Sequence, residues 1–301
     1  MTRPDWIGVD WGTSHVRAYA MQGADCIAQA QSSDGMGNLA PEQFEAALLA
    51  LVDNWLSNAH AVPVIACGMV GSRQGWIEAP YRAVPCTPLG QGMIVAPTKD
   101  PRLSVQIIPG LNQMRPADVM RGEETQIAGV IALNPGWDGV LCLPGTHSKW
   151  VHISAGEVVS FQTFLTGEMF ALLSQHSVLR HSVAGWDDTG FAEGVTQGFE
   201  RPEWLTARLF SLRAEGLLAG LDPARARARL SGLLIGAELG AARAYWLGHR
   251  VLVVGQSALS ATYAKALSSL SVPVSTIDGT AATLAGLRAA LPHLKEISCA
   301  R

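Results

Sequence analysis

The stretch Ile7-Gly8-Val9-Asp10-Trp11-Gly12-Thr13-Ser14, continuing as Val16-Arg17-Ala18-Tyr19-Ala20, decides how this chain is read. It is an apolar strand that runs into a Gly-Thr turn and resumes its alternation beyond it, the pattern of a tight hairpin. A second stretch repeats the plan: Val140-Leu141-Cys142-Leu143-Pro144-Gly145-Thr146-His147-Ser148-Lys149, then Trp150-Val151-His152-Ile153. Glycine lets the backbone approach an anion closely, and the N–H groups and hydroxyls that follow can point at its oxygens. One such turn says little. Two of them, one per half and the first with Asp10 two residues before Gly12, suit a clamp on nucleotide phosphates.

Composition sets the outer bounds. The 301 residues, 48% of them hydrophobic and 16% charged, allow one large or two medium domains with a sizeable core. Net charge is −3 and no Lys/Arg run resembles a nucleic-acid or membrane arm. The five cysteines are odd in number, widely spaced and without a C-x-x-C, which argues against disulfide scaffolding and structural zinc. No signal-type apolar segment opens the chain, and no apolar run approaches the roughly 20 residues of a membrane span. A cytoplasmic protein with no nucleic-acid or membrane partner is expected, and homo-oligomerisation is left open.

Outward from the first hairpin, residues 6–30 read as an antiparallel meander. Phe44, Leu48, Leu51, Val52 and Trp55 fall at helical spacing after Pro41. Residues 62–69 form a buried strand that enters the Gly-rich loop Gly71-Ser72-Arg73-Gln74-Gly75-Trp76. Pro80, Pro85, Pro88, Pro97, Pro101 and Pro109 are too dense for a helix. A short strand is expected over 105–109 and a helix over 121–132, leading into the second hairpin. Residues 156–246 are expected to be mostly helical. Strands over 251–254 and 273–277 alternate with helices over 260–270 and 280–291. The halves thus share a plan, with domains expected over 1–114 and 115–301.

Each candidate residue has a chemical reason. Asp10, at a strand end beside the Gly12-Thr13-Ser14 turn, can hold Mg²⁺ directly or through water, or simply bond its own hairpin backbone. Gly145, Thr146, Ser148 and Lys149 suit a transferring phosphoryl group. Arg121-Gly122-Glu123-Glu124 places two carboxylates at a helix start, where the helix dipole favours them in any case. Their functional reading is a base that accepts the proton of an attacking hydroxyl, Glu123 first and Glu124 as the alternative. Gly255-Gln256-Ser257 closes a strand before a helix and suits a packed base or ribose. Arg73 can grip a carboxylate and Trp76 can wall a sugar, with Ser72 beside them. No P-loop, zincin or nucleophile-elbow motif is present.

On these residues the chain resembles the actin/hexokinase/Hsp70 ATPase superfamily and, within it, the 2-dehydro-3-deoxygalactonokinase family. Asp10-Trp11-Gly12-Thr13-Ser14 is similar to the first phosphate motif and Leu143-Pro144-Gly145-Thr146-His147-Ser148-Lys149 to the second. Residues 251–257 resemble the adenosine motif and 278–286 the helix that follows it. Gly122-Glu123 stands where related carbohydrate kinases carry Gly-Asp, 22 residues before Gly145. Residues 67–76, with Pro80-Tyr81, resemble the sugar-acid kinase itself. The resemblance implies an α/β protein of two ribonuclease-H-like domains with mixed sheets flanked by helices and an ATP/substrate cleft between them. It implies ATP and Mg²⁺ and phosphorylation of the 6-hydroxyl of 2-dehydro-3-deoxy-D-galactonate, a small-molecule sugar acid of galactonate breakdown. Glu123 would act as base, Asp10 would hold the metal, the two turns would grip phosphates, and Arg73 would meet the substrate carboxylate. A kinase for another sugar or sugar acid, or a nucleotide-driven switch, stands as the alternative.

Overall fold

The computed structural model describes residues 3–57 and 60–294. Contacts divide the chain into two compact units. The first comprises Met1–Trp137, Ser154–Val159 and Gly279–Arg301, the second Asp138–Ile153 and Ser160–Asp278. The expected boundary at 114/115 instead falls in the turn of a hairpin inside the first unit. The last helix also returns to that unit.

In the first unit, β1 (Trp6–Trp11), β2 (Val16–Gln22) and β3 (Asp25–Ser32) form the meander, and α1 (Phe44–Val52) follows it. Then come β4 (Val62–Gly68), β5 (Tyr81–Ala83), β6 (Ile94–Val95), β7 (Leu103–Ile107), β8 (Gly110–Met114), β9 (Ala117–Met120) and α2 (Glu123–Leu133). The main sheet runs β3-β2-β1-β4-β7-β6, with β1 antiparallel to β2 and parallel to β4. β5, β8 and β9 form a small second sheet. Ile7, Val9 and Trp11 alternate onto one face of the main sheet, where Phe44, Leu48 and Val52 of α1 cover them. Trp6, Ile65 and Cys67 face the other way and pack with Ala128 of α2 and Leu287 and Ala290 of the C-terminal helix. Burial on both faces explains why β4 reads as a continuous apolar run.

The second unit opens with β10 (Gly139–Leu143), β11 (Ser148–Ser154) and β12 (Glu157–Phe164), of which Ser154 and residues 157–159 count with the first unit. The helices α3 (Thr166–His176), α4 (Asp188–Glu200), α5 (Leu205–Leu218), α6 (Pro223–Ala241) and α7 (Arg243–Trp246) follow. It closes with β13 (Val251–Gly255), α8 (Ser257–Ser269) and β14 (Val274–Asp278), after which α9 (Gly279–Ala290) belongs to the first unit. Its sheet order is β12-β11-β10-β13-β14, with β10 antiparallel to β11 and parallel to β13. That is the order of the first sheet without its edge strand, so the plan shared by the two halves is a shared topology. β12 corrects the expectation that 156–246 is mostly helical from its start. Its two fully buried residues, Val158 and Phe161, lie three apart and imitate one face of a helical turn.

Helix pairs in both units cross through glycines. A Cβ on Gly129 of α2 would meet the carbonyl oxygen of Ala282 in α9 at 1.8 Å. One on Gly232 of α6 would meet that of Phe191 in α4 at 2.3 Å. Neither crossing has room for a side chain.

Candidate active site

In the first unit, the parallel strands β1 and β4 end side by side, Asp10 opposite Cys67 and Trp11 opposite Gly68. Open α/β sheets place ligands at such strand ends. Gly68 (φ +90) and the N-terminal glycine of α2, Gly122 (φ +104), both adopt left-handed backbone, and a Cβ on Gly122 would stand 3.2 Å from the Gly68 Cα. The approach brings the start of α2 to the strand ends, and there Asp10, Gly12, Arg121, Glu123 and Gln126 line a polar cavity of about 170 Å³. Asp10 lies opposite Arg17 across the hairpin and accepts a hydrogen bond from it at 3.4 Å through Oδ2. Burial pushes the Asp10 carboxyl up from its ordinary value; Arg17 pulls it back down, and the neighbouring Glu123 charge adds to the rise.

The paired glutamates are separated by their surroundings. Glu123 is half-buried, lines the cavity, and accepts the Arg121 backbone N–H at 3.0 Å. Glu124 is fully buried and turned away from it. Its carboxylate accepts the Gly122 N–H at 2.7 Å and the Thr125 hydroxyl at 2.9 Å. Burial first, and the Glu123 charge second, push Glu124 up to about 7.

The Gly12-Thr13-Ser14 turn is closed by Gly12 N–H to His15 O at 2.8 Å and braced by Gly37 N–H to Thr13 O at 2.9 Å, leaving both hydroxyl residues exposed. The 71–76 loop does not join the cavity. Trp76 turns inward and packs on Trp11 and Phe44, with centroids 6.4 and 6.3 Å away, so it is core and not a sugar wall. Ser72 is buried with its hydroxyl unpartnered. Arg73 is largely exposed and pairs with Glu78 at 3.6 Å.

In the second unit a larger and mostly apolar cavity, about 700 Å³, is lined by Gly145 of the second turn, Phe170, Trp186, Leu234, Leu259 and Tyr263, among others. Arg227 lines it as well and lies over the Phe170 ring at 5.4 Å. Thr146 is exposed, and its carbonyl accepts the Glu168 N–H at 2.9 Å, docking the start of α3 on the turn. His147 and Glu168 meet at 2.5 Å. Ser148 is buried and donates to Glu238 at 2.7 Å, so its hydroxyl serves the fold and not a phosphate. Glu238 also accepts from Trp150 and Tyr263, and burial pushes its carboxyl up while these donors pull it down. Lys149 is buried, with its ammonium donating to His147 O at 3.4 Å. Gly255 and Gln256 do not line this cavity, to which α8 contributes from Ala258 onward; the Ser257 side chain and Cys299 lie outside the described residues. The aromatic and aliphatic wall was missed from sequence because its members come from α3, α6 and the loop before α4, which carry no motif, and from α8 beyond Gly255-Gln256-Ser257.

A sheet order repeated in both units, a small polar cavity at a strand end in one and a larger apolar cavity in the other match the architecture of sugar kinases of the actin/hexokinase type. The chain belongs to the 2-keto-3-deoxy-galactonokinase family, which it matches over residues 10–290. It is 38% identical to a protein of Rhizobium meliloti described as a probable 2-dehydro-3-deoxygalactonokinase, over 95% of this chain and 96% of that one. It is 34% identical to the 2-dehydro-3-deoxygalactonokinase of Escherichia coli, over 94% and 96%. A crystal structure from Sinorhizobium meliloti, assigned to the same activity, superimposes with a TM-score of 0.89 at 37% identity, covering 97% of this chain and 98% of that one. Among the described residues, no helix is long and apolar enough to cross a membrane.

Proposed function

We propose that this protein transfers the γ-phosphoryl group of ATP to the 6-hydroxyl of 2-dehydro-3-deoxy-D-galactonate. The observation that supports this most directly is the division of labour between the two cavities. One is small, polar and carries Asp10 and Glu123; the other is apolar, of a size for a nucleoside, and bounded by the Gly145 turn. In the reaction, Glu123 accepts the O6 proton as the O6–Pγ bond forms. The bond from Pγ to the bridging oxygen breaks, and ADP leaves with that electron pair. The base contributes modestly, since phosphoryl transfer depends chiefly on positioning and on charge stabilisation.

Asp10 suits Mg²⁺, a hard ion that takes one or two carboxylates and fills its shell with phosphate oxygens and water. Its Oδ2 is held by Arg17, and Oδ1 makes no hydrogen bond among the described residues. Bound there, the ion would neutralise charge on the phosphates. In the second unit the Gly145-Thr146 turn offers donors to phosphate oxygens while Phe170, Trp186 and Leu259 pack on the nucleoside; in the first, the exposed Thr13 and Ser14 suit phosphate oxygens as well. A cytoplasmic setting agrees with such a catabolic role.

The reading is tested by ADP release from the purified protein across 2-keto-3-deoxy sugar acids and neutral sugars. The galactonate-derived acid is expected to lead its C4 epimer by roughly tenfold or more in kcat/KM and the neutral sugars by far more. Equal rates with neutral sugars, or release independent of any acceptor, would remove it.

A further inference from the structure

The expected carboxylate partner, Arg73, does not line the cavity and pairs with Glu78, yet the cavity contains another arginine. Arg121 lines it together with Asp10 and Glu123 and is only 9% exposed. Its guanidinium lies 4.4 Å from the centroid of the Tyr81 ring and donates through Nη2 to Ala79 O at 2.7 Å. Nε and Nη1 are buried with no hydrogen-bond partner, and no carboxylate pairs with the group among the described residues. The pocket around it is cut close: a Cβ on Gly71 would stand 2.9 Å from Nη1. A buried cation without a counter-charge is among the most unfavourable arrangements in a fold, and a cation–π contact offsets only part of it. The other acid–base side chains lining the cavity, Asp10 and Glu123, are carboxylic acids and offer no positive charge to a carboxylate-bearing substrate.

We propose that Arg121 is the specificity residue of this site and receives the carboxylate of the sugar acid, so that the bound substrate completes a charge pair the empty protein leaves open. The inference rests on the kinase reading above and names the group that selects acids over neutral sugars. Its immediate neighbour in sequence is the helix start that carries Glu123, so one short segment, 121–123, would grip the acid end and deprotonate the alcohol end of one ligand. Tyr81, 40% exposed and stacked on the guanidinium, covers its face and leaves recognition to its edges.

The experiment compares the sugar acid with its C1 carboxamide in wild type, Arg121→Met, Arg121→Lys and, as an exposed control, Arg73→Ala. Wild type is expected to favour the acid over the amide about a hundredfold in kcat/KM. Arg121→Met should raise KM for the acid by a similar factor and abolish that preference, with KM for the amide and the affinity for ADP unchanged. Arg121→Lys should recover part of the preference, because charge returns without the planar fork. Arg73→Ala should match wild type. The melting temperature of Arg121→Met should not fall, and its rise on adding the acid should vanish. An acid/amide ratio that survives in Arg121→Met overturns the proposal while leaving the kinase reading intact. So does loss of the fold in both Arg121 variants, which would make the residue structural. Wild type inactive on every acid tested removes the kinase reading first, and the proposal with it.

Discussion

The two units build the same sheet order from unrelated-looking sequence and then use it in opposite ways. Each has a hairpin turn, a parallel strand beside it and a buried glutamate close to the turn or to the helix start. In the first unit the helix start comes down onto the strand ends, Gly122 against Gly68, and the space left is about 170 Å³ with Asp10, Arg121 and Glu123 on its walls. In the second, α3 docks its start on the turn, and the space between α3, α6 and α8 is about 700 Å³ with Phe170, Trp186 and Leu259 on its walls. The buried glutamates differ in the same sense. Glu238 is held by donors from Ser148, Trp150 and Tyr263, whereas Glu124 accepts one N–H and one hydroxyl. One topology therefore encloses a small polar cavity in one unit and a larger apolar one in the other.

The sharpest way to break this comparison is to remove the carboxylate that faces the small cavity. Glu123→Gln is expected to lower kcat roughly a hundred- to ten-thousandfold, the range a positioned general base supplies. The dissociation constant for ADP, measured by calorimetry, should stay at the wild-type value, because the cavity proposed for the nucleoside is lined by the other unit. Unimpaired turnover would take Glu123 out of the base role.

How much of this was legible in the sequence follows the same division. The hairpins were readable because period-two alternation on either side of Gly12 and Gly145 is a local signal, and Asp10 and Glu123 sit beside them. The helix start at 122–123 was readable from Gly followed by acids. Arg121 was not, since its burial depends on Gly71, Ala79 and Tyr81, about forty to fifty residues upstream. Trp76 looked like a binding residue in a Gly-rich loop, and only the fold shows Trp11 and Phe44 enclosing it. Ser148 looked like a phosphate ligand, but the strand pleat turns its hydroxyl toward Glu238, ninety residues on. The boundary expected at 114/115 lies beside Pro116, in the turn that closes the β8–β9 hairpin instead of separating domains.

A second, smaller effect distinguishes the buried Glu124 from its neighbour. Its carboxyl is pushed from 4.5 up to about 7, mainly by burial. Between those values the native protein keeps a proton that the unfolded chain has released. Stability must then fall as pH rises through this window and level off above it, by about 3 kcal/mol in all. Urea melts at pH 5 and pH 7.5 should show the loss in wild type and little of it in Glu124→Gln, whose amide can still accept from the Gly122 N–H. A wild-type slope that survives the substitution would assign the effect to another group.

The smallest expected effect is the most specific to the comparison. Gly286 and Gly232 occupy the tightest approaches of α9 on α2 and of α6 on α4: an added Cβ would meet Thr125 O at 1.8 Å and Phe191 O at 2.3 Å. Backbone cannot yield as a side chain tip does, so each alanine must push its helix pair apart, at about 1–3 kcal/mol of stability. The functional consequences should separate. In Gly286→Ala the displaced helix is α2, which carries Glu123 at its first turn, so kcat should fall while ADP affinity holds. In Gly232→Ala it is α6, whose Leu234 and Ile235 line the apolar cavity, so ADP affinity should fall about tenfold. Kinetics and calorimetry on the two variants read both arms. If both variants lose the same parameter, the two cavities do not have separate tasks, and the contrast between the units is one of shape alone.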